Sequence, residues 1–291
     1  MPWLQLSFDI DGDDVERLTE FFNAAGALSV TTLDAGDESL LEPAPGETPL
    51  WRRVRVSALF AADTDIAQLQ ASLASAFPDL AQEISTERIE DRDWSETWRD
   101  SFSTMRFGER LWIVPSGEAC PDPEAVVIHL DPGLAFGTGT HATTALCLEW
   151  LDANAPAGKT VIDYGCGSGI LAIAAHKLGA ASVQAVDIDP QALQATRENA
   201  VRNGIDTGLG VSLPSALAGT PVDLVVANIL ANPLIELANE LCALLVSGGQ
   251  IVMTGILAEQ AGEVMSAYRE AIDFADPVER DEWVLLSGRK R

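Results

Sequence analysis

Lysine is nearly missing from this chain: Lys159, Lys177 and Lys290 stand alone among 291 residues. Lys and Arg together number 18 against 44 Asp and Glu, a formal charge of −26. Sequence-independent nucleic-acid binding needs clustered Lys and Arg to displace counterions, so direct binding of that kind is not expected. An anionic membrane surface repels such a chain as well. The acidity fits a cationic partner or substrate drawn in by the field. It fits equally a salt-adapted or simply very soluble surface. Cysteine is sparse: Cys120, Cys147, Cys166 and Cys242 form no CxxC pair, so neither a disulfide framework nor a metal site is expected. Reduced thiols point to a cytoplasmic protein. The first basic residue is Arg17, so the charged start of a secretory signal is lacking. No long hydrophobic run is present either. The most apolar stretch, 222–246, is interrupted by Asp223, Asn228, Asn232 and Glu236, which excludes a membrane helix there.

What is present is enough apolar residue, 47%, to fill cores, in a length that suits about two domains. In the first ninety residues Leu4, Leu6 and Phe8 alternate with polar neighbours as a strand does. Val15, Leu18, Phe22 and Ala25 then recur at helical spacing, after an acidic start at Asp11–Asp14 and before Gly26. Strands are predicted at 28–33 and 51–60, separated by the proline-rich EPAPGETP. A helix through Ile66, Leu69 and Leu73 and a strand near 84–89 complete a β-α-β-β-α-β order, that of a small α+β ferredoxin-like domain. Trp94, Trp98 and Phe102, four apart, share one face of a helical connector. RLWIVP (110–115) and AVVIHLDP (125–132) read as strands.

From about residue 138 strands and helices alternate strictly. A helix over 140–153 precedes strands at 160–164, 182–187, 210–213, 222–227 and 249–254. Helices at 169–179, 190–203, 233–245 and 258–272 separate them, and the tail 274–288 gives two more strands, the last antiparallel. Such alternation implies a mostly parallel sheet covered on both faces.

The sharpest chemical signal is VIDYGCGSG, 161–169, between a strand and a helix. Gly165, Gly167 and Gly169 let the backbone turn tightly and approach a ligand, with helix-start amides free to meet a carboxylate or phosphate. The dinucleotide fingerprint G-x-G-x-x-G would place glycine at 170, where Ile170 stands, which argues against a nicotinamide dehydrogenase. The next strand ends in AVDIDP, so that Asp187 can accept hydrogen bonds from both hydroxyls of a ribose. Asp189, followed by proline, suits a helix cap. Asp163 faces the loop or makes a structural hydrogen bond. Cys166 is read as a small filler in the loop, with no basic partner evident nearby, and His129 and His176 as structural.

Together these residues resemble class I S-adenosylmethionine-dependent methyltransferases over about residues 130–290. DPGLAFGTGTHATTALCLEWL (131–151) and DLVVANILANPL (223–234) narrow the resemblance to the PrmA family, bacterial enzymes that methylate large-subunit ribosomal protein L-eleven (L11). With the ferredoxin-like front and the DWSETW connector it extends over essentially the whole chain. The resemblance implies an α/β architecture in three parts. A substrate-recognition domain spans 1–90, a helical linker 91–108, and a Rossmann-like class I methyltransferase domain 109–291. It implies S-adenosylmethionine as methyl donor, contacted by Thr144, Gly165, Asp187 and Asn228, with Gly167 in the loop and Phe136 and His141 on a segment closing over it. His141 has a competing role as a helix-start residue bonded to nearby backbone. Neutral acceptors, the amide oxygen of Asn228 as the expected catalytic residue or backbone carbonyls, are expected to orient the amine. The implied substrate is L11, methylated on lysine side chains and the N-terminal α-amino group. The alternative is a methyltransferase for a small molecule or nucleic acid.

Overall fold

The computed structural model describes residues 3–36, 49–78, 85–89, 103–131, 141–217, 219 and 221–291. The chain divides into two compact units, Met1–Thr97 and Trp98–Arg291.

In the first unit, β1 (Trp3–Asp11) turns Leu4, Leu6, Phe8 and Ile10 inward, as period-two alternation requires. A short 3₁₀ turn carrying Asp13 and Asp14 leads into α1 (Val15–Ala24), which buries Val15, Leu18 and Phe22. Gly26, at φ +89°, ends it, and the Ala27 amide returns to the Phe22 carbonyl at 2.9 Å. β2 (Ser29–Asp34), β3 (Arg53–Ala61), α2 (Ile66–Ala76) and β4 (Ser85–Ile89) follow. Asp65 caps α2 by accepting the Gln68 amide at 3.0 Å. The sheet runs β2-β3-β1-β4 and the pairs are antiparallel. α1 thus crosses from β1 to β2 with β3 lying between, the split βαβ arrangement of a ferredoxin-like domain.

The second unit opens with β5 (Met105–Phe107), β6 (Leu111–Val114) and β7 (Val126–His129) in a small sheet of their own. The predicted linker helix falls largely on 90–102, outside the described residues. Met105–Phe107, at its end, is strand instead, because it pairs with β6 and buries Phe107. The small sheet is tied to its unit by Asn203. Its amide accepts the His129 N–H and donates to the His129 carbonyl, both at 2.8 Å.

The main sheet is built from β8 (Thr160–Tyr164), β9 (Ser182–Val186), β10 (Leu209–Ser212), β11 (Val222–Asn228), β12 (Leu245–Leu257), β13 (Ile272–Phe274), β14 (Val278–Arg280) and β15 (Trp283–Lys290). Its order is β10-β9-β8-β11-β12-β15-β13, with β14 also on β15. The first five are parallel and β15 is antiparallel to β12. The helices are α3 (Ala142–Ala153), α4 (Ile170–Lys177), α5 (Pro190–Arg202), α6 (Ala231–Glu236), α7 (Ala238–Ala243) and α8 (Ala261–Tyr268). Val161, Val226 and Val252 fill the core on one face of the sheet, Ile162, Val225 and Ile251 the core on the other. That double burial explains why these strands are near-continuously apolar.

Two predicted elements differ. The single helix at 233–245 is two, α6 and α7, parted at Leu237. The helix predicted to run to 272 stops at Tyr268, and Ile272–Phe274 is strand β13; the two strands expected in the tail are β14 and β15, the last antiparallel, joined by a tight hairpin in which Asp281 takes φ +55°.

Candidate active site

The order of strands reverses between β8 and β11, and open α/β sheets bind ligands at that crevice, beyond the C-terminal strand ends. Here lies the loop after β8. Gly165, Gly167 and Gly169 have φ of +79°, +54° and +80°, a region closed to most side chains. Two of these glycines are also required by space. A Cβ on Gly165 would lie 2.2 Å from Ile229 Cγ2, and one on Gly169 2.7 Å from Thr196 Cγ2. Thr196 Oγ1 in turn donates to the Gly167 carbonyl at 3.0 Å, and Asn199 Nδ2 to that of Ser168 at 2.8 Å. Helix α5 therefore holds the loop from behind. Ile170, standing where a dinucleotide fingerprint needs glycine, is a buried core residue at the start of α4.

Asp187, just past β9, meets this loop directly. Its Oδ2 accepts the Gly167 amide at 3.0 Å and its Oδ1 the Asp189 amide at 2.9 Å. A carboxylate offers about four lone-pair sites, so two further donors, such as the paired hydroxyls of a ribose, fit the same side chain. Asp189 caps α5 by accepting the Gln191 amide at 2.8 Å, as its position before Pro190 suggests.

Asp163 lies beneath the loop on β8, only 1% exposed. Its Oδ2 accepts the Ala172 amide at 2.9 Å, so it caps α4, whose own cap position is a glycine. Burial pushes its pKa up to about 7 against the pull of that amide, and the Asp187 charge adds to the rise. Burial likewise raises the Cys166 thiol to about 12, and its sulfur lies 3.3 Å from Thr196 Oγ1. It is a packed thiol, not a nucleophile.

Another group of polar side chains is built by β11 and α3. Asn228 ends β11, and its Nδ2 donates to Thr144 Oγ1 at 3.4 Å; Thr144 is fully buried in the first turn of α3. Ile229, the next residue, is wedged between two strand tips. It abuts Gly165 on one side, while on the other a Cβ on Gly255 would come within 2.4 Å of its carbonyl oxygen. Thus Thr144 and Asn228 form one group, Gly165, Gly167 and Asp187 a second, and Ile229 joins them. His141 begins α3: its Nδ1 lies 2.8 Å from Thr143 Oγ1, and its ring meets Trp283 edge-on at 4.9 Å. Phe136 lies outside the described residues. Sequence reading missed Ile229, Thr196 and Asn199. The steric demand of Gly165 and Gly169 was the only signal for Ile229 and Thr196, and Asn199 left none.

A parallel sheet with this strand order, a glycine loop after its first strand and a ribose-competent acid after its second define a Rossmann-like methyltransferase domain. The family model for ribosomal protein L11 methyltransferase (PrmA) matches residues 2–291, and the chain belongs to that family. It is 53% identical to the ribosomal protein L11 methyltransferase of Azotobacter vinelandii, with all of both chains covered. It is 52% identical to that of Pseudomonas aeruginosa, over 100% of this chain and 99% of the relative. Among solved structures it is similar to a ribosomal protein L11 methylase from Lactobacillus delbrueckii subsp. bulgaricus. That likeness has a TM-score of 0.60 at 37% identity and covers 65% of this chain and 100% of that one.

Proposed function

We propose that this chain transfers methyl groups from S-adenosylmethionine to amines of ribosomal protein L11, the lysine side chains and the N-terminal α-amino group. The observation that carries this reading is the contact of Asp187 with the Gly167 amide, which joins a ribose acceptor to the glycine loop at the sheet's switch point. When bound, the cofactor supplies a methyl activated on a sulfonium. Asp187 holds its ribose, and the backbone of Gly165 and Gly167 passes its methionine portion. Asn228 accepts an N–H of the incoming amine through its amide oxygen. Good alignment of two reactants can be worth roughly 7–11 kcal/mol, and alignment is the role of these residues.

The amine must arrive neutral. That costs about 4–5 kcal/mol for a lysine of pKa ~10.4 at neutral pH, but only about 1 for an α-amino group. A nearby carboxylate would raise the amine's pKa and work against this. The groups on the Asn228 side suit the requirement: Thr144, bonded to Asn228, is neutral, and burial holds Asp163 on the adjacent strand β8 toward its uncharged form. The −26 surface draws a basic ribosomal protein from a distance. The front unit binds that protein, and transfer occurs in the cytoplasm.

Labelled cofactor mixed with this enzyme and fractionated ribosomal components tests the reading. Label should enter L11, and mass spectrometry should place the added methyls on its lysines and amino terminus. Label in RNA, or in no protein fraction, rejects it.

A further inference from the structure

We propose that Thr254 is a positioning residue for methyl transfer: its buried hydroxyl, without a partner of its own, orients the side-chain amide of Asn228 from the neighbouring strand. This rests on the assignment of Asn228 to the acceptor amine.

Thr254 is fully buried, and its Oγ1 makes no hydrogen bond. Three other buried side-chain atoms among the described residues share that state: Trp112 Nε1, Asp152 Oδ1 and Asp163 Oδ1. Asp152 Oδ1 has Arg110 Nε at 3.3 Å, and Asp163 has an amide on its second oxygen. Thr254 has neither compensation. A buried hydroxyl left unpaired is desolvated for nothing, and valine fills nearly the same volume at no such cost. Stability therefore does not account for threonine here.

Its place in the sheet does. Thr254 is the register partner of Asn228 across the parallel β11–β12 pair. Residues in register stand on the same face of a sheet, with neighbouring strands about 4.8 Å apart. Two residues earlier on each strand, Val226 and Val252 are also partners, and both enter the core under α3. Helix α3 carries Thr144, which binds Asn228 Nδ2. That bond leaves Asn228 Oδ1, with two lone pairs, as the end available to the amine. A hydroxyl donated to one lone pair fixes the amide plane and leaves the second for the amine N–H.

The backbone supports the same conclusion. Gly255, at φ +86°, brings the tip of β12 hard against the Ile229 carbonyl, directly after Asn228. At the same point the β12–β15 register slips between Met253 and Ile256. Bulges of this kind re-aim a side chain beside an active site. Thr254 and Asn228 are not bonded in the structure. Rotation about χ1 exchanges the hydroxyl between staggered positions, and engagement of the acceptor selects the one facing Asn228.

The test compares Thr254→Val and Thr254→Ser with the wild-type enzyme, acting on the intact ribosomal protein. Thr254→Val should melt at or above the wild-type temperature and bind cofactor within twofold by calorimetry, yet lose about tenfold in kcat. Thr254→Ser, which restores the hydroxyl, should return kcat to within twofold. Wild-type kcat in Thr254→Val overturns the proposal. So does an equal fall in both variants, which marks packing, or a fall matched by weakened cofactor affinity, which marks a cofactor contact. Should Thr254→Val not fold, Thr254→Ala against Thr254→Ser makes the same comparison. Asn228→Ala with full kcat would instead sink the assignment of Asn228, a failure that the Thr254 variants alone do not produce.

Discussion

The two units bury different things. Among the described residues, the core of the first is apolar throughout, built on Leu6, Phe8, Leu18, Phe22, Val56 and Phe60. The buried polar side chains, among them Thr144, Asp163, Ser168, Thr196, Asn199 and Thr254, all belong to the second. Buried polar groups cost stability unless paired, so they persist where something beyond packing is needed. Most of those in the second unit brace the glycine loop or line the ends of β8, β11 and β12. The first unit has no such investment, and whatever it recognises must meet its surface.

The contrast can be broken most forcefully at Phe22. Phe22→Ala should destabilise the first unit by about 3–5 kcal/mol while cofactor affinity stays within twofold. A matching loss of cofactor binding by calorimetry would mean that the units are not energetically separable.

Next comes the pH dependence of the second unit. The raised pKa of Asp163 means that its carboxyl favours the fold fully below about pH 4, its unfolded value, and that this is lost as pH climbs toward 7. A tenfold change in proton affinity corresponds to about 1.4 kcal/mol. Asp163→Asn should flatten the decline in urea stability between pH 4 and 7, and parallel curves for the two proteins would refute a buried, neutralised acid. The first unit has the opposite sign. The Arg55 guanidinium, bonded to Asp9 at 2.6 and 2.7 Å, holds that carboxyl below its usual range, so its contribution is lost in acid.

Asp187→Ala removes charge-assisted bonds worth ~1.5–3 kcal/mol each. Cofactor affinity should fall by at least tenfold, whereas the melting of the first unit should not move. Unchanged affinity rejects Asp187 as the ribose ligand. The smallest expected effect is Asp65→Ala, where loss of the α2 cap should cost about 1 kcal/mol in the first unit alone. Any change in kcat there would show that the cap serves catalysis too.

Much of this was legible beforehand, for reasons that differ between the units. Period-two burial in β1 and the Leu18–Phe22 spacing in α1 are local, so the ferredoxin-like order could be read directly. The same holds for the turn of the Gly165–Gly169 loop between β8 and α4 and for the place of Asp187 just past β9, which follow from neighbours on the chain. Asn203 on His129 and Thr196 on Gly167 were not legible as pairs, because a hydrogen-bond partner far along the chain leaves no periodic trace. The parting of α6 from α7 and the early end of α8 before β13 were missed, because no glycine or proline marks either break.

By itself, then, the order of amino acids determined most elements, their succession and the positions of the glycine turn and of Asp187, because hydrophobic period, turn chemistry and capping act over a few residues. Only the tertiary structure decided that Ile229 is wedged between Gly165 and Gly255, and that Thr254 stands in register with Asn228. Strand order and register are settled by packing across the whole sheet, and no local pattern encodes which tips will meet.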